Sequence, residues 1–117
     1  MSDHHVIAGQ LVTVRVPYLY RGRSSAKARL VGYGYYQGVA GGEYTGAVVR
    51  YTADHGEPFS HHRRERGEEE VVPFDRVLPR NFTSGTVTFH YDESIPAYAG
   101  IGPVHVSTHH HPTQVLP

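Results

Sequence analysis

The 117-residue sequence predicts an all-β protein, on three observations. Alternating β-branched runs recur along the chain, as in Gln10–Val16 (QLVTVRV) and Gly85–Tyr91 (GTVTFHY). No segment repeats apolar residues at i, i+3, i+4 and i+7 over eleven positions, the spacing an amphipathic helix needs. Glycine and proline mark the breaks between runs, at Pro17, Gln37–Gly42 and Asp54–Gly67.

Taken in order, residues 1–8 read as a polar lead-in. Gln10–Val16 is a half-buried strand with Val12, Val14 and Val16 on one face and Leu11, Thr13 and Arg15 on the other. Pro17, lacking an N–H, ends its ladder. Tyr18–Ala26 (YLYRGRSSA) then reads as a long basic loop. Lys27–Tyr36 is the second strand, and Gly32 and Gly34 within it mark a bend or a close backbone approach. Gln37–Gly42 is a glycine-dense turn. Tyr44–Ala53 is the third strand, with Ala47, Val49 and Tyr51 on one face. Asp54–Gly67, polar and of mixed charge, is an enlarged hairpin loop. Glu68–Pro73 forms a short fourth strand whose glutamates charge its edge. Phe74–Leu78 holds a 3₁₀ turn and leads into a fifth short strand. Beyond Arg80, Gly85–Tyr91 is a strand, Pro103–Thr108 a further candidate, and Pro96, Pro103, Pro112 and Pro117 keep residues 92–117 extended. Such an arm fits a groove, and a neighbouring copy's groove is the expected one.

Composition narrows the function. Hydrophobic residues make up 38% and mean hydropathy is −0.44, enough for a small core. Apolar runs are too short to span a bilayer, and the first residues do not look like a secretion signal. Without cysteine there are no disulfides, thiolate zinc sites, iron–sulfur clusters or Cys nucleophiles. Ten arginines against one lysine suggest a GC-rich genome, that of an actinobacterium or its phage. The expected location is therefore the cytoplasm of a bacterial host, or a virion. Net charge is zero, yet residues 1–50 are basic and residues 51–117 acidic, an asymmetry that can steer a partner or self-association.

Residues 9–80 resemble the small SH3-like barrels of the Tudor, agenet and KOW type. The likeness runs through Gly9-Gln10-Leu11-Val12, Ala28-Arg29-Leu30-Val31-Gly32-Tyr33 and Ala47-Val48-Val49-Arg50-Tyr51. It ends on Val71-Val72-Pro73-Phe74-Asp75-Arg76-Val77-Leu78-Pro79, which looks like a Tudor strand, 3₁₀ turn and closing strand. The resemblance implies a five-stranded SH3-like barrel, with residues 81–117 adding strands and an extended arm. The loop at 54–67 is longer than the usual hairpin, and residues 81–117 have no counterpart. Type II dihydrofolate reductases are also SH3-like, and Leu30-Val31-Gly32-Tyr33 is similar to their second strand. Val71-Val72-Pro73-Phe74 lacks their substrate-binding glutamine and tyrosine, so that activity is not implied.

The chemistry concentrates in tyrosine and arginine: Tyr18, Tyr20, Arg21, Arg23, Arg29, Tyr33, Tyr35 and Tyr36. Tyrosine offers a flat apolar body with a polar tip, and arginine a planar fork for carboxylate or phosphate. Together they suit a protein hot spot or a stacking platform for single-stranded nucleic acid; equally, several tyrosines can close a small core. A Tudor-like cage would draw on Tyr33, Tyr35 or Tyr36 with Tyr51. Ten histidines invite a metal reading, but neither HExxH nor a carboxylate-bracketed pair is present, so no metal and no cofactor is expected. No G-x-S-x-G and no phosphate loop appears. The expectation is a small non-enzymatic module that binds a protein partner or itself. One alternative is a virion or assembly component that oligomerises through its C-terminal arm. The other is a nucleic-acid binder using the basic loop 18–29.

Overall fold

A computed structural model describes residues 3–37, 42–91, 94–98 and 102–109. The protein is all-β, with no α-helix among the described residues. Its strands are β1 (Asp3–Ile7), β2 (Leu11–Tyr20), β3 (Arg23–Gln37), β4 (Glu43–Tyr51), β5 (Glu69–Val72), β6 (Val77–Leu78), β7 (Ser84–His90) and β8 (Val104–His109). Short 3₁₀ turns cover Phe74–Arg76 and Pro96–Tyr98.

The strands form two sheets. One runs β5-β4-β3-β2-β6, all antiparallel; the other runs β1-β7-β8, with β1 parallel to β7. The larger sheet is open, with β5 and β6 as its edges, so the closed five-stranded barrel expected from the sequence is not what forms. Part of the reason is the second sheet. It caps the larger one, and Val6, Val87 and Phe89 join Val12, Val14, Leu30, Val49 and Val77 in a single core. Alternation delivers these residues: Val12, Val14 and Val16 are buried from β2, and Ala47, Val49 and Tyr51 from β4.

Four further expectations are corrected. Residues 3–7 are a strand rather than a polar lead-in, because Val6 is fully buried beside Phe89 in the parallel ladder. Pro17 does not end β2. Pairing with β3 is interrupted between Arg15 and Tyr20, which lets the strand pass a residue that cannot donate. Tyr18–Ala26 is therefore no long loop: β2 turns into β3 at Arg21-Gly22, both with positive φ (52° and 75°), the type I′ pattern of a tight hairpin. The arm is in part an internal strand, since Val104–His109 pairs antiparallel with β7; residues 92–93, 99–101 and 110–117 lie outside the described residues, as does most of the 37–42 turn.

The bend foreseen at Gly32 is present. Register slips between Leu30 and Gly32, and the hydroxyl of Tyr98 occupies the place of a side chain at Gly32, where it accepts the Tyr33 N–H at 3.3 Å. Tyr33, Phe74, Tyr91 and Tyr98 gather there, with Phe74 5.1 Å from Phe89.

The long 54–67 loop is tied back to the sheet. His55 and Arg64 exchange two backbone hydrogen bonds of 2.8 Å. Arg64 grips Glu70 with both Nε and Nη2, at 2.9 and 2.7 Å, and the Tyr51 hydroxyl donates to the same carboxylate at 2.7 Å. Burial raises the pKa of Glu70, but the bonds from Arg64 and Tyr51 outweigh it and hold it below the ordinary value. A depressed folded-state pKa contributes stability that is intact above the unfolded value, about 4.3, and is lost as pH falls through the folded one. Acid unfolding of the wild type should therefore steepen below about pH 4. Glu70→Gln should be less stable at pH 7 and should flatten that limb, as read by urea midpoints across pH.

Candidate functional site

The tip of the β2–β3 hairpin leans over the 54–67 loop, and a cleft of about 520 Å³ opens between them. Tyr20, Arg21, Arg23, Asp54, His55 and Arg63 line it. Alternation along β2 explains the hairpin's share. Tyr18 and Tyr20 point to the loop, while Leu19 between them points to solvent.

Tyr18 fixes the floor. Its hydroxyl donates to the His62 carbonyl at 3.0 Å and lies 3.0 Å from His55 Nδ1, and its ring stacks on His62 with centroids 4.7 Å apart. His55 Nε2 is buried without a hydrogen-bond partner among the described residues. Burial lowers the His55 pKa, the Ser25 backbone opposes this, and Arg23 lowers it further. The ring is neutral at pH 7 and belongs to the scaffold.

Charge collects above this floor. Arg63 is held by the Gly56 carbonyl at 2.9 Å and by Asp54 at 3.2 Å, so the one carboxylate of the cleft is spoken for. Arg21 lies over the Tyr20 ring, 5.2 Å from its centroid. Arg21 and Arg23 are exposed, and neither has a carboxylate within ion-pair distance among the described residues. The cleft presents a cationic, aromatic surface.

The eight residues singled out from the sequence fall in three places. Tyr18, Tyr20, Arg21 and Arg23 meet at the hairpin tip, with Tyr18 as support rather than surface. Arg29 is exposed partway along β3 and donates to the Gly9 carbonyl at 2.9 Å. Tyr33 is half-buried between the sheets. Tyr35 and Tyr36 sit at the far end of β3, about 40 Å of strand contour from Arg23. There Tyr35 is 60% exposed and bonds Glu43, and Tyr36 stacks on Tyr44 at 5.0 Å. A cage including Tyr51 does not form, because Tyr51 is buried and its hydroxyl is committed to Glu70. Sequence reasoning missed Asp54, His55 and Arg63. They lie in a stretch whose polarity reads as solvated loop, and only the pairing of His55 with Tyr18, 37 residues away, brings them to the hairpin.

Among the described residues no three histidine or acidic side chains converge as a metal site, and no helix is long and apolar enough to cross a membrane. Compared with protein families, curated proteins and solved structures, the chain matches none.

Proposed function

We propose that the chain is a small non-enzymatic binding module that engages a protein partner through the hairpin-tip cleft. The observation that carries this reading is the pair Arg21 and Arg23, exposed and without carboxylate partners among the described residues, beside Tyr20 on a hydrogen-bonded floor. Arginine and tyrosine are the residue types that anchor protein interfaces, and an arginine fork matches a carboxylate in two bonds. The partner surface is accordingly acidic. The architecture we propose for residues 9–80 is an open variant of the SH3-like arrangement. The order β5-β4-β3-β2-β6 and the 3₁₀ turn ahead of β6 support it.

A tight two-residue hairpin presents these arginines with little backbone entropy left to lose, which favours binding over a floppy basic loop. Substituting both, Arg21→Ala with Arg23→Ala, should weaken binding of the native partner by about 30-fold or more, the effect of losing one hot-spot anchor. The far-end pair Tyr35→Ala and Tyr36→Ala should leave it within about threefold. Unchanged affinity in the arginine variant would reduce the cleft to a solvated face. If short single-stranded DNA binds the wild type at physiological salt and loses affinity in the same variant, the nucleic-acid reading replaces this one. Light scattering on a size-exclusion column addresses the assembly reading, which requires oligomers where the module requires none.

A further inference from the structure

The outer face of the β1-β7-β8 sheet is rich in histidine. His5 sits opposite Thr88, and Thr88 opposite His105; His90 follows two residues on in β7. Direct partners, and residues two apart on one strand, share a face, while Val6, Val87 and Phe89 take the opposite, buried one. His105 turns Nδ1 to the Thr88 hydroxyl at 2.9 Å. His5 and His90 turn to each other. His5 Nδ1 lies 2.8 Å from His90 Nε2, and the rings stack with centroids 5.1 Å apart at 27°.

We propose that His5 and His90 form a two-imidazole chelate for a divalent late transition-metal ion, copper(II) in preference to zinc. Two facing nitrogens at 2.8 Å share a single proton, one donating and one accepting. A metal ion can take that proton's place, the proton passing through water to the donor ring's other nitrogen, so that both rings stay neutral ligands. Distance selects the ion. Metal–imidazole bonds are about 2.0–2.1 Å, so ligands at a right angle stand about 2.9 Å apart and tetrahedral ones about 3.4 Å. The observed separation is that of a hydrogen bond, and it lies nearer the right-angled, tetragonal spacing that copper(II) and nickel(II) favour than the tetrahedral one; copper(II) binds such nitrogen sites most tightly. His5 is exposed and His90 half-exposed, so the ion has an open approach and water can fill its other positions. The ion would also link β1 to β7 across their parallel ladder. Because unfolding separates the two rings, binding favours the folded chain.

Copper(II) chloride and zinc chloride titrated into the full chain, with electron paramagnetic resonance of the copper form, test this. His109, His110 and His111 form a competing histidine run, so the same titrations are made with all three changed to Ala. That variant should still bind one copper(II), with hyperfine structure from two nitrogens, and should gain thermal stability on binding. Zinc should bind at least about tenfold more weakly than copper. His90→Ala, and His5→Gln, which keeps a hydrogen-bonding side chain on β1, should each weaken copper by about tenfold or more, while His105→Ala should not. Loss of copper binding in the triple variant would overturn the proposal. So would copper affinity unchanged in both His90→Ala and His5→Gln, or zinc binding as tightly as copper.

Discussion

Gly46→Ala should destabilise the protein by about 3 kcal/mol or more, read as a drop in urea midpoint. A Cβ at Gly46 would overlap the Val72 carbonyl, which is backbone and cannot swing aside as a side chain would. Relief requires β5 to move off β4. That movement breaks the pairing of Ala47 with Val72 and of Val49 with Glu70, and pulls the Tyr44 hydroxyl from the Val71 carbonyl, 3.1 Å away. It also draws Glu70 from Tyr51 and Arg64, so the loop beneath the cleft loosens with the strand. Gly42→Ala is the control. Gly42 precedes the same strand, nothing lies within 4 Å of its would-be Cβ, and its substitution should stay within about 0.5 kcal/mol. Equal effects at the two positions would mean that β5 does not pack on Gly46 as described.

Phe89→Ala should cost about 3–5 kcal/mol and lower Tm by about 10–20 °C. Phe89 is fully buried on the middle strand of the smaller sheet, opposite Val6 and Val104, and its ring meets Phe74 in the 3₁₀ turn that joins β5 to β6 of the larger sheet. Removing it opens a cavity where the two sheets join. Phe89→Leu, which keeps most of the volume, should cost less than half as much. A loss under about 1 kcal/mol for the alanine variant would show that the sheets do not share one core.

The strands with a wide buried face were legible. Val12-Val14-Val16 and Ala47-Val49-Tyr51 announce period two, and all six residues lie in the core. β1 was not legible, since Asp3–Ile7 places one valine in the core and its neighbours are polar; only a partner strand far along the chain gives Val6 somewhere to go. The hairpin tip was misread because Arg21-Gly22 is not one of the usual type I′ pairs, and Pro17 just before it argues against a continuing strand. An open sheet was not foreseeable from the SH3-like order, because closure depends on what residues 84–109 cover. At the cleft, composition pointed to Tyr20, Arg21 and Arg23. It also pointed to Tyr35 and Tyr36, which β3 carries to its other end, and periodicity contains nothing about distance along a bent strand.

The parallel ladder between β1 and β7 constrains when the fold can be completed. His5 and His90 are 85 residues apart, so β1 has no β7 to pair with until that much more chain has been made. At a synthesis rate of about 5–20 residues per second, Val6 waits roughly 4–17 s after it is made before Phe89 follows. During that interval β1 is an unpaired strand on a growing chain, open to chaperones or to wrong partners. Within the larger sheet β2 to β5 pair in sequence order and can form first, while β6 returns to β2 from across the chain; closing the smaller sheet adds the ladder of highest contact order.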